Sequence, residues 1–267
     1  MSAAQALALE QFLAGRGFVR KPGGLLSGLG AKISRASELP AASRETFATT
    51  VPGLDGLLAG GLPRGGCIEL TARRSSGRFA VVLAALAAAT SAGEATALVD
   101  LGDHLDPHEA QKAGVDLVRL LWVRPRHAKQ AVAAAEMLLS AGFPLVVADF
   151  GLAPRGVRYL PDAAWVRLAR AAETWGSALL IAAPWRLSGV AAQTVVTASR
   201  ACPLWQGSGR APRLLTGLSS RLTLEKDTRA RSGLTESFTL RASEALVPLS
   251  PLHGDHAAIT LRSRRVP

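Results

Sequence analysis

Between Thr49 and Ala183 short apolar runs of strand character alternate with longer runs at helical spacing, a pattern that a wound α/β sheet satisfies and few other folds do. The spacing predicts strands at 67–70, 95–100, 115–123, 145–150 and 178–183, and helices at 79–91, 107–113, 127–140 and 162–175. Beyond Pro184 the helical period fades. Runs at 195–205, 213–224, 234–241 and 257–262 alternate as antiparallel strands do. The predicted fold class is therefore α/β, with a mixed, mostly parallel central sheet flanked by helices and antiparallel strands late in the chain. There is no internal repeat.

The first strand runs into G-C-I-E-L-T-A-R-R-S-S-G-R-F-A at 66–80, which has the frame of a phosphate-binding loop without its chemistry. A working loop needs G-x-x-x-x-G-K-[ST]: glycines let backbone N–H groups close on the phosphates, the lysine reaches them, and the hydroxyl holds magnesium. Ala72 stands for the first glycine and only the second survives, as Gly77. Arg78 keeps a positive charge at the lysine position, but a planar fork on a longer stem does not replace a compact ammonium. Phe79 removes the hydroxyl. The loop is not expected to support ATP hydrolysis, and the chain is expected to have no catalytic residues, no functional nucleotide cofactor site and no metal.

With 267 residues, 48% of them hydrophobic, the chain can bury a substantial core as one large domain with small appendages. Boundaries fall at 1–20 (an amphipathic helix over 3–13 with glycine stops), 21–45 (a linker rich in Gly, Ser and Pro), 46–250 (the core domain) and 251–267 (a C-terminal strand or tail). The two cysteines, Cys67 and Cys202, both lie in apolar stretches and read as reduced core residues. No basic-then-apolar export signal opens the chain, and the apolar run at 79–89 is far short of the roughly 20 residues a membrane span needs. A cytoplasmic protein with no membrane partner is expected. The formal charge of +11 sits mostly in the second half, where 16 basic residues face 7 acidic ones. Such an excess favours polyanions, although 26 of the 31 basic residues are arginine, so part of it is compositional habit.

His104 and His108 stand four apart beside Asp103 and Asp106, a spacing that on a helix would align two imidazoles for a metal. Pro107 breaks that helix, so the metal reading is set aside. No Ser/His/Asp or Cys/His set has supporting motif context.

Four segments, T-T-V-P-G-L-D-G-L-L-A-G-G-L-P-R-G-G at 49–66, S-S-G at 75–77, V-D-L-G-D-H-L-D-P at 99–107 and A-G-V-D-L-V-R-L-L at 113–121, together resemble the RecA recombinase family. The likeness covers about residues 46–245 and is strong as far as Asp149. Within that superfamily the chain is most similar, in size and in its degraded loop, to the ImuA family, accessories of mutagenic translesion synthesis. The resemblance implies that the water-activating glutamate falls on Gly102, that the polar switch residue falls near Pro184, and that the acidic strand end is kept as Asp149. Asp149 then reads as a remnant that caps a helix or pairs with Arg78. Arg73, Arg74 and Arg78 crowd the old pocket, either to hold an anion without cleaving it or to be solvated or neutralised by neighbours such as Asp100 and Asp103.

The resemblance also places 151–161 and roughly 184–210 where recombinases carry their DNA-contacting loops. Arg155, Arg158 and Tyr159 in the first, and Trp185, Arg186, Arg200, Trp205 and Arg210 in or beside the second, suit phosphate contact and base stacking on single-stranded DNA. They equally suit partly buried aromatics with a solvated arginine rim. The N-terminal helix resembles in position the segment by which recombinase protomers dock, or it packs on its own core. The resemblance thus implies a non-catalytic RecA-like protein of the SOS DNA damage response that works by binding partners. By resemblance these are RecA, the inactive Y-family polymerase-like mutasome protein and the error-prone C-family polymerase. A SulA-type cell-division inhibitor and a divergent DNA-dependent ATPase are the alternatives.

Overall fold

The computed structural model describes residues 45–73, 75–152, 156–207, 213–228 and 231–241. The expected N-terminal helix, most of the linker and the strand at 257–262 lie outside them. The described chain opens with a two-stranded pair, β1 (Thr46–Phe47) and β2 (Leu62–Pro63), around helix α1 (Pro52–Leu58). The motif at 49–66 now has a physical reason. Asp55 of α1 turns back to accept hydrogen bonds from the Thr49 N–H at 2.8 Å and the Thr49 hydroxyl at 2.7 Å, which fixes the entry to the helix. Gly61 has φ of 122°, and a Cβ there would lie 1.8 Å from the Phe47 carbonyl oxygen, so only glycine lets β2 approach β1.

From there the wound part follows: β3 (Cys67–Ala72), α2 (Arg78–Ser91), β4 (Thr96–Asp100), α3 (Pro107–Lys112), β5 (Leu120–Val123), α4 (Ala128–Ser140), β6 (Leu145–Asp149), α5 (Asp162–Trp175) and β7 (Ala178–Ala183). Three antiparallel-type runs complete it as β8 (Thr194–Gln206), β9 (Leu214–Asp227) and β10 (Thr235–Arg241). The sheet order is β10-β9-β8-β3-β7-β6-β4-β5, with parallel pairing from β8 to β5 and antiparallel pairing of β9 and β10. The predicted mixed α/β sheet is thus the observed one, except that β8 pairs parallel to β3 and turns antiparallel only toward β9. The predicted strand at 115–123 is shorter than expected. Asp116 accepts from the Val118 N–H at 3.0 Å and winds 117–119 into a 3-10 turn before β5 begins.

Alternation along the strands divides the interior in two. Ile68, Leu70, Leu98, Val147 and Leu180 pack with Val82 and Leu86 of α2 on one face. Val99, Val146, Leu179 and Ile181 pack with Leu139 of α4 and Trp165 and Leu168 of α5 on the other. β3, β6 and β7 are buried along their whole length, as parallel strands covered on both faces are. Glu69, in the middle of β3, is fully buried. Its carboxylate accepts from the Leu187 and Ser188 N–H groups and, at 2.5 Å, from the Ser188 hydroxyl, so it ties the segment after β7 to the sheet. Among the described residues no helix is long and apolar enough to cross a membrane.

The cysteines part company. Cys67 is buried as expected, and desolvation, helped by nearby Glu69, pushes its thiol up to about 12. Cys202 is exposed, contrary to the sequence reading. β3 flanks β8 only along 194–198, so at 202 the strand is paired, among the described residues, with β9 alone. A disulfide reagent added to the native protein should therefore titrate one thiol rapidly, with the second reacting only in denaturant, and Cys202→Ser should abolish the fast phase. Fast reaction of both thiols would contradict this burial.

Candidate functional site

In α/β sheets ligands bind beyond the carboxyl ends of the parallel strands. Here the ends of β3, β4 and β6 carry the loop at 73–77, the segment 101–106, and Gly151, respectively. β3 stops at Ala72. The turn after it holds Ser75 at φ of 59° and Gly77 at φ of 82°, and the Ser76 hydroxyl donates to the Arg73 carbonyl at 2.5 Å. Helix α2 then starts at Arg78, so the frame of a phosphate-binding turn is kept.

Arg78 is buried and points across the sheet ends: Nη2 lies 3.1 Å from Asp149 Oδ1, and Nη1 donates to the Gly151 carbonyl at 2.8 Å. Burial pulls the Arg78 pKa down, opposed by the carboxylates of Asp149 and Asp100. Asp149 also accepts from the Gly151 N–H at 3.1 Å, and its Oδ2 meets His104 Nδ1 at 3.1 Å. That hydrogen bond holds the His104 pKa above the ordinary imidazole value against partial burial. Of the two roles open to Asp149, pairing with Arg78 is the one realised.

Phe79 stands against the His104 ring edge-to-face, with centroids 5.8 Å apart, so the residue that replaces the magnesium hydroxyl packs on the imidazole. Gly102 has no room for a side chain. A Cβ there would lie 2.6 Å from His104 Cε1 and 2.8 Å from Gly151 Cα, so the loops after β4 and β6 touch where the resemblance would place a glutamate. Asp100 is buried, and its Oδ2 accepts from the Leu105 N–H at 2.9 Å and the Trp122 indole at 3.3 Å. Asp103 belongs to another network. Arg124 grips it through two hydrogen bonds of 2.7 Å, which lowers its pKa. Arg73 is exposed, and Arg74 lies outside the described residues.

His104 and His108 do not share a helix face. Asp106 caps α3, accepting from the N–H groups of His108 and Glu109, and leaves His104 in the preceding loop. Among the residues suited to DNA contact, Tyr159, Trp185 and Trp205 are 68%, 53% and 53% exposed, so each ring presents part of its surface to solvent. Parallel pairing through β6, β7, β3 and β8 directs the segments after β6 and β7 and the far end of β8 toward the same end of the sheet. Arg186 is exposed and donates to the Gly189 carbonyl at 3.0 Å. Arg158 lies in the turn at 157–159 and Arg200 in β8, while Arg155 and Arg210 lie outside the described residues. Two site residues escape a reading of the sequence alone. A lone acid inside the apolar strand C-I-E-L-T-A is the available signal for Glu69. Nothing local links His104 to Asp149, which is 45 residues away.

Replacing Arg78 with Met strands the Asp149 charge and should cost about 3–5 kcal/mol in chemical denaturation. Gly102→Ala should cost about 1–3 kcal/mol through overpacking. A loss under about 0.5 kcal/mol for either would contradict the packing described.

Comparison with known proteins supports the assignment of this frame. Residues 29–155 match the family model of the RecA N-terminal domain. RecA of Acinetobacter baylyi is 41% identical over 91 residues, 34% of this chain and 26% of that protein. RecA of Streptomyces avermitilis is 39% identical over 119 residues, 44% and 32% of the two chains. The match thus spans a third or less of these relatives. A crystal structure of the RadB recombinase superposes with a TM-score of 0.54 at 17% identity, covering 72% of this chain and 94% of that one. Residues 29–155 thus resemble the RecA N-terminal domain in sequence, and the fold resembles that of the RadB recombinase.

Proposed function

We propose that the chain is a non-catalytic RecA-like accessory protein of mutagenic translesion DNA synthesis, one that acts by binding RecA and the mutasome polymerases rather than by turning over nucleotide. The observation that carries this reading is the buried pair of Arg78 and Asp149, two charges satisfied by each other rather than left for a phosphate and its magnesium. Two further features support it. Phe79, at the position where a metal-binding hydroxyl is required, packs its ring on His104 instead. The contact of Gly102 with Gly151 also leaves no place for a water-activating carboxylate. With the polar chemistry turned inward, the retained RecA-like surface is what remains for use, consistent with a protein that docks on filaments or polymerases.

A second role, contact with single-stranded DNA, is favoured by the exposed Tyr159, Trp185 and Trp205 in a chain half with 16 basic and 7 acidic residues. The two roles are compatible.

Added in equimolar to excess amounts to RecA assembled on single-stranded DNA, the purified chain should change the RecA ATPase rate or the filament length. No change at excess protein would count against the accessory role. Binding of oligothymidylate should quench tryptophan emission with a steep salt dependence, and a Trp185→Ala/Trp205→Ala variant should lose that signal. Salt-independent or absent quenching would remove the DNA role.

A further inference from the structure

We propose that Asp100, His104 and Asp149 form a binding site for one transition-metal ion of the zinc(II) type, held by protein ligands alone and without nucleotide. Each residue offers one ligand atom, and the three atoms lie within 4.8 Å of one another. The spacing of His104 Nδ1 and Asp149 Oδ2, 3.1 Å, is already that of neighbouring ligands around an ion with bonds of about 2.0–2.2 Å.

The hydrogen bonds of the two carboxylates point the same way. Asp149 gives Oδ1 to Arg78 and Gly151, leaving Oδ2 to face the imidazole alone among the described residues. Asp100 gives Oδ2 to Leu105 and Trp122, and its Oδ1 is buried with no hydrogen-bond partner among the described residues. A carboxylate with one oxygen held by the protein and the other free is how metal ligands are oriented. A buried carboxylate oxygen without a partner is otherwise costly. The edge-to-face contact of Phe79 fixes the plane of the imidazole.

Charge and ligand type choose the ion. Two carboxylates against one guanidinium leave a net negative charge in a buried site when His104 is neutral, which a divalent cation meets. An imidazole among the ligands favours zinc and its neighbours over magnesium or calcium, which take oxygen donors. The site differs from the magnesium site of a phosphate-binding loop, since it uses no hydroxyl of that loop and no phosphate. It is also independent of partner binding, so either idea can fail alone.

Zinc(II) alone and cobalt(II) alone, titrated into the full chain after chelator dialysis, provide the test by calorimetry and visible absorption. One ion per chain is expected, with ligand-field bands for cobalt and a raised melting temperature for zinc. His104→Ala and the isosteric Asp100→Asn should each weaken binding by more than the roughly 10- to 100-fold typical of losing an outer-shell partner. His108→Ala, at an exposed imidazole nearby, should leave binding unchanged. Circular dichroism checks that each variant is folded, and His104, in a loop and partly exposed, can be lost without opening the core. Absence of binding, binding indifferent to His104→Ala, or binding lost with His108→Ala would each overturn the site.

Discussion

A guanidinium and a carboxylate buried together, Arg78 with Asp149, set the terms for the rest of the pocket. Taking either charge out of water alone costs several kcal/mol, so each commits the other. The second Arg78 hydrogen bond goes to the Gly151 carbonyl and the second Asp149 hydrogen bond comes from the Gly151 N–H. One ion pair therefore pins the start of α2, the end of β6 and the loop beyond it. With that loop drawn in, Gly151 abuts Gly102, and the segment after β4 is drawn in with it.

The departures of this chain from a nucleotide-binding loop are thus coupled. The planar fork of Arg78 reaches both Asp149 and the Gly151 carbonyl, which a single ammonium would not match. Phe79 then packs on His104, and His104 bonds the remaining Asp149 oxygen. Residues that serve the frame rather than the chemistry persist: Asp55 holds the entry to α1, Gly61 allows the approach of β1 and β2, and Glu69 ties the segment after β7. The frame keeps the strand-turn-helix geometry, and within it Arg78, Asp149 and His104 bond one another.

The parallel half of the sheet is legible in the sequence because its strands are short apolar runs separated by helices that begin and end near Gly, Pro and Asp, signals that act over a few residues. Asp162–Trp175 and Ala178–Ala183 have the bounds that spacing predicts. Where longer-range context decides, the sequence is less informative. Cys202 sits in an apolar stretch yet is exposed, since β3 ends beside residue 198. The 3-10 turn at 117–119 depends on one capping aspartate. In the site, the loss of loop chemistry can be read from Ala72, Arg78 and Phe79 as residue types. The surroundings of Arg78 are another matter: Asp149 is a partner that the sequence can suggest, but Gly151 and the ring of His104 come from separate segments that only the sheet brings together.

Equilibrium titration with a fluorescent ATP analogue, with and without magnesium, tests most directly whether protein has displaced nucleotide from this pocket. No saturable, magnesium-dependent signal is expected in the micromolar range, because Arg78 and Asp149 already neutralise each other. Micromolar binding that requires magnesium would contradict that displacement.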